Sequence, residues 1–137
     1  PGRHPFAQLR PHIRALSPDD SCGTRVLVCL ANTAECYPVF AAAERWIVHV
    51  IHPDHADLAV RFATRGADKF ADAGFSPDER GLPVLDRACV TLDCAAFARY
   101  PGGDHTILVG KVERARIGDD VPAIYFRREF HAPPAAS

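Results

Sequence analysis

The chain has 137 residues, of which 47% are apolar and 24% charged, with a formal net charge of -1. At about 100–200 residues per domain this is one domain with an ordinary globular core, not a disordered tail. The charge balance excludes a strongly basic nucleic-acid binder, and the run of about 18–20 apolar residues that a membrane span needs is absent.

Phe6, Leu9, Ile13 and Leu16 recur at helical spacing and predict a helix over residues 6–16. Ser17 to Gly23 follows as a turn or linker, so residues 1–24 form an N-terminal helix and connection to a single domain spanning 1–137. Pro1 to Pro5 lacks the apolar core of a secretory leader. Arg25 to Ala31 is a short apolar run suited to a buried strand, closed by Asn32-Thr33. Tyr37 to Glu44 predicts a short helix with Pro38 in its first turn, where a missing N–H costs nothing.

Trp46 to Ile51 is rich in β-branched residues and predicts a strand. A second helix follows, with Asp54 near its start, Leu58 and Phe62 on one face, and Gly66 as its stop. Residues 71–83 hold Gly74, Pro77, Gly81 and Pro83 and read as a surface excursion. Cys89–Tyr100 and His105–Ile117 predict long strands, joined as an antiparallel hairpin by Pro101-Gly102-Gly103-Asp104. Pro122–Arg127 is the last predicted strand. No strand–turn–helix unit carries G-x-G-x-x-G, which argues against a Rossmann fold. The fold class is mainly β (α+β), an antiparallel barrel with peripheral helices.

Cys22, Cys29, Cys36, Cys89 and Cys94 form no C-x-x-C pair, so a reducing, cytoplasmic setting without a disulfide framework is expected. His49, His52 and His55 straddle a strand end and a helix start, so no metal site is expected from them.

Three segments in order resemble the flavin reductase family with the FMN-binding split-barrel fold. They are Val26–Thr33 followed by Tyr37–Phe40, then Asp57–Ala63 through Gly66–Phe70, then Tyr100–Val112 with its Gly-Asp-His-Thr turn. Pro122–Arg127 is similar to the family's closing strand. The resemblance covers residues 25–131 and is nearest to the small reductase components of two-component monooxygenases, including those that tailor aromatic polyketides. It implies a homodimer that reduces FMN or FAD with NADH or NADPH and hands the reduced flavin to a partner monooxygenase, without nucleic acid or membrane.

On that resemblance Ala31, Asn32 and Thr33 meet the flavin at a strand end, and Phe62 and Phe70 wall its ring. Arg65 and Lys69, four apart, would share a face of a continuing helix and meet its phosphate. His105 is the catalytic-site candidate, contacting nicotinamide or substrate with Tyr125 and Arg127. The family's two further N-terminal strands, one rich in Thr and Ser, are not recognisable, because Ser17–Thr24 is too short to hold them. An omitted internal segment, a deletion that has lost flavin binding, and a wall supplied by a dimer partner are the readings open here. The alternative function is a flavin-independent split barrel that binds or cyclises a polyketide-like intermediate, or a non-catalytic binding module.

Overall fold

A computed structural model describes residues 12–14 and 23–135. The chain is mainly β: β1 (His12–Arg14), β2 (Arg25–Ala31), α1 (Tyr37–Ala42), β3 (Arg45–Val50), a 3₁₀ turn (Pro53–His55), α2 (Ala56–Ala63), β4 (Phe75–Pro77), β5 (Pro83–Leu85), β6 (Val90–Gly102), β7 (His105–Ile117), β8 (Ile124–Phe126) and β9 (Glu129–His131). Five strands form one sheet in the order β1-β2-β7-β6-β3; β4-β5 and β8-β9 are separate two-stranded ladders.

The helix expected over residues 6–16 is corrected where it can be seen. His12–Arg14 is a strand, antiparallel to β2, with Ile13 opposite Val26; the rest of that segment lies outside the described residues. Helical spacing of four apolar residues is a weak local preference. The free backbone groups along the edge of β2 are a stronger demand, and a neighbouring strand meets it.

Two compact units divide the chain, residues 1–46 with 93–114, and residues 47–92 with 115–137. In the first, β2 runs antiparallel to β7 in an unbroken ladder from Arg25↔Lys111 to Ala31↔His105. Val26, Trp46, Cys94 and Leu108 are its buried core. Gly110 allows that packing: a Cβ there would lie 3.0 Å from the Cys94 Cβ and 3.0 Å from the Trp46 Nε1. Arg45 crosses the same region, its Nη2 donating to Asp93 Oδ1 and Glu113 Oε2 at 2.8 Å each. These two hydrogen bonds, Glu113 foremost, raise the guanidinium pKa still further, so Arg45 is a permanent cation between two carboxylates.

The second unit buries Ala59, Leu85, Cys89 and Leu92. The 3₁₀ turn that leads into α2 begins on imidazoles instead of the usual Ser or Asp: His52 Nδ1 accepts from the Asp54 N–H, and His55 Nδ1 accepts from the His52 N–H. His49 Nε2 accepts from the Leu85 N–H at 3.0 Å. The three histidines are thus committed to backbone donors. The expected excursion at 71–83 contains the ladder β4-β5, with Phe75 opposite Leu85. The expected last strand is shorter than Pro122–Arg127 and turns back on itself. Phe126 pairs with Glu129, leaving Arg127 and Arg128 as a two-residue turn with φ of 51° and 69°. Among the described residues no helix is long and apolar enough to cross a membrane.

Adding one methyl group at Gly110 forces Trp46 or the β6 backbone to move. Gly110→Ala is expected to destabilise the fold by about 1–3 kcal/mol, read as a lower urea midpoint; an unchanged midpoint would show slack around Trp46. Burial first, then Arg116 and His55, lowers the His49 pKa from 6.5 to about 4. The unfolded chain therefore takes up this proton before the folded one as pH falls. The stabilisation is whole above pH 6.5 and lost as pH falls to about 4, a span on the order of 3 kcal/mol. His49→Gln keeps an acceptor for Leu85 without a titrating ring, so its stability should fall less steeply across that window. Equal slopes in urea titrations of the two proteins would refute this.

Candidate functional site

In the first unit the strand end of β2 and the tip of the β6–β7 hairpin are tied together. Gly103 takes φ +72° in the two-residue turn, a conformation open to glycine without a Cβ clash. The Asn32 N–H donates to the Asp104 carbonyl at 3.0 Å, and Asn32 Nδ2 reaches the Gly103 carbonyl at 3.4 Å. Thr106 Oγ1 donates its one proton to Asn32 Oδ1 at 2.8 Å and lies 3.3 Å from the Tyr37 hydroxyl. The structure thus brings together Ala31, Asn32 and His105 of the expected site and adds Thr106, Tyr37 and Asp104. The register gives the reason: Ala31 stands opposite His105 and Leu30 opposite Thr106.

His105 Nδ1 lies 2.7 Å from Asp104 Oδ1. The carboxylate is 72% exposed and the imidazole 17%. A carboxylate at Nδ1 holds the proton there in the neutral ring, which makes Nε2 the acceptor. Among the described residues that Nε2 is buried and has no hydrogen-bond partner. A buried polar atom left unpaired costs about 1–3 kcal/mol. Such an atom answers to a ligand donor, and an amide N–H suits it. Thr33 stands exposed just beyond Asn32.

In the second unit Phe62, Phe70 and Phe75 form an aromatic trio with ring centroids 5.1–5.6 Å apart. Phe70 remains 52% exposed and offers a flat apolar surface. Phe75 was not singled out in the sequence, since it lay in the expected excursion. Arg65 and Lys69 do not share a helical face. α2 ends at Ala63, where the Thr64 N–H turns back to the Arg61 carbonyl, and Gly66 follows at φ +72°. Lys69 Nζ donates to the Thr64 carbonyl at 2.6 Å, closing the loop 64–69. An ammonium has three donors, so this bond leaves capacity for an anion. Arg61 Nη1 donates to the Ala71 carbonyl at 2.7 Å and holds the following turn, a role the sequence did not reveal. Tyr125 packs on Phe130 at 4.8 Å, and the Arg127 guanidinium lies 5.2 Å over the Phe126 ring. Arg127 therefore sits in the turn after β8 and not within the strand.

In the first unit His105 Nε2 keeps an open acceptor among the described residues; in the second, taken by itself, Phe70 keeps an exposed ring and Lys69 a part-used ammonium. Among the described residues no group of three or more His, Cys, Asp or Glu could hold a metal ion.

Comparison with known proteins gives the family of the chain. The model of the flavin reductase like domain matches residues 21–134. Actinorhodin polyketide dimerase of Streptomyces coelicolor is 47% identical over 107 residues, 77% of this chain and 60% of that protein. The NADH:riboflavin 5'-phosphate oxidoreductase of Streptomyces pristinaespiralis is 37% identical over 111 residues, 79% of this chain and 63% of that protein. The chain thus spans somewhat under two thirds of these relatives' length. Among solved structures, the NADH:FAD oxidoreductase SgcE6 of Streptomyces globisporus, in complex with NAD and FAD fragments, superposes with a TM-score of 0.77 at 26% identity, over 87% of this chain and 72% of that one. The mainly β, antiparallel architecture is that of the split-barrel flavin reductases, and the chain belongs to the flavin reductase like domain family.

Proposed function

We propose that this chain works in NAD(P)H-dependent reduction of FMN or FAD, supplying reduced flavin to a partner monooxygenase, as a homodimer. The observation that carries this reading is the buried Nε2 of His105, without a partner among the described residues, beside the Asn32–Thr106–Tyr37 cluster in a chain of this family. Relatives named as reductase components of two-component monooxygenases support the partner, among them the 4-nitrophenol monooxygenase reductase of Rhodococcus opacus.

A bound flavin supplies a ring that accepts hydride from the nicotinamide. The chain's own residues orient and exclude water. Asp104 fixes the imidazole, so that Nε2 presents a lone pair to the carboxamide N–H of a nicotinamide. Thr106 and Tyr37 hold Asn32, whose backbone is already tied to the turn, so the strand end does not give way when a ligand binds. None of these groups needs to gain or lose a proton in the reaction. Their contribution is position, which can supply much of the rate in a transfer between two bound rings.

A second reading is a split barrel that handles a polyketide-like intermediate without flavin, favoured by the similarity to a protein named for polyketide dimerisation. Loss of NADH absorbance on adding FMN or FAD to the purified protein is expected. If neither flavin elicits it, the first reading falls and the second stands. His105→Ala removes an acceptor that has no partner among the described residues, so it should raise the KM for NADH or NADPH about tenfold, and loss of the buried ring and its Asp104 contact should lower the thermal midpoint as well. Unchanged KM values in a folded variant would exclude His105 from the nucleotide site.

A further inference from the structure

The turn between β8 and β9 uses two residues that its geometry disfavours. Both central positions have positive φ, 51° at Arg127 and 69° at Arg128, the pattern that two-residue turns ordinarily fill with Asn-Gly or Gly-Gly. An arginine gains nothing from this backbone conformation, and two in succession hold a strained turn. The hairpin is held all the same by the Tyr125–Phe130 pair, which stand opposite one another across the ladder.

The two side chains are exposed, and among the described residues the one partner of either guanidinium is the Phe126 ring. Arg45, Arg61 and Arg99 contrast with them, each donating to oxygens of its own fold. Beside the pair lies an open apolar strand, with Tyr125 38% and Phe126 58% exposed. Two adjacent unpaired forks next to flat rings are suited to a phosphate carried by a heterocycle.

We propose that Arg127 and Arg128 form a phosphate-recognition turn for a nucleotide, and that its strain is retained for that purpose. The inference rests on the flavin reductase reading and adds Arg128 to the binding residues. The phosphate can belong to the flavin nucleotide or to the pyridine nucleotide.

Titration calorimetry on the full chain tests this with four probes: FMN against riboflavin, and 2',5'-ADP against adenosine. Arg127→Asn with Arg128→Gly installs the favoured turn. It should raise the thermal midpoint by a few degrees and reduce the preference for the phosphorylated probe about tenfold. Arg127→Gln with Arg128→Gln keeps the strain, removes the charge, and should lose the same preference without the gain in stability. It carries the test if the first variant fails to fold. Loss confined to FMN assigns the flavin phosphate, and loss confined to 2',5'-ADP assigns the pyridine nucleotide. A wild-type preference retained in both variants, or no wild-type preference at all, overturns the proposal while leaving flavin reduction standing. Wild-type protein that binds none of the four probes takes down both.

Discussion

The ladder between β2 and β7 is the constraint from which the first unit follows. Seven consecutive pairs, from Arg25↔Lys111 to Ala31↔His105, admit one register, because a slip of one residue would turn Val26 and Leu108 out of the core. That register puts the end of one strand against the tip of the hairpin that the other begins. Asn32 then meets Gly103, Asp104 and Thr106 without any long-range search. Close packing at Gly110 reinforces it, since Cys94 and Trp46 occupy the space that any other residue there would need. The polar cluster is thus an outcome of an apolar and backbone constraint, and its side chains inherit their positions from it.

The long strands and their turn were legible because several local signals agreed. The apolar run at Arg25–Ala31, the Gly103-Asp104 turn and the β-branched stretch at Trp46–Ile51 each point to the same state. Asn32 and His105 stand in two separate segments of the sequence, and the β2–β7 register brings those segments together. What failed was any inference that needed a tertiary decision. Ile13 lies in a segment whose helical spacing yielded to the hydrogen-bonding demand of the β2 edge. Arg65 and Lys69, four apart, would share a face only of a helix that continues past them, but the helix closes earlier, at the Thr64 N–H, and Lys69 folds back on the Thr64 carbonyl. Phe75 was hidden because Gly and Pro around it announce a loop, while its ring joins Phe62 and Phe70. The second strand of the last hairpin escaped because an Arg-Arg turn carries no sequence signal of a turn.

Charge is handled differently in different parts of the fold. Arg45, between Asp93 and Glu113, is about four-fifths covered, and a cation so placed depends on both partners. Next to it the Cys94 thiol is pushed up to about 11, by burial first and by Asp93 second. Burial also raises Cys89, whose Sγ donates to the Val121 carbonyl. Both thiols therefore stay protonated near neutral pH. Since the thiolate is the reactive form, they pack as small apolar groups. Neither Cys89 nor Cys94 presents a nucleophilic sulfur near neutral pH, and Arg45 holds its two carboxylates together while the neighbouring Cys94 thiol keeps its proton.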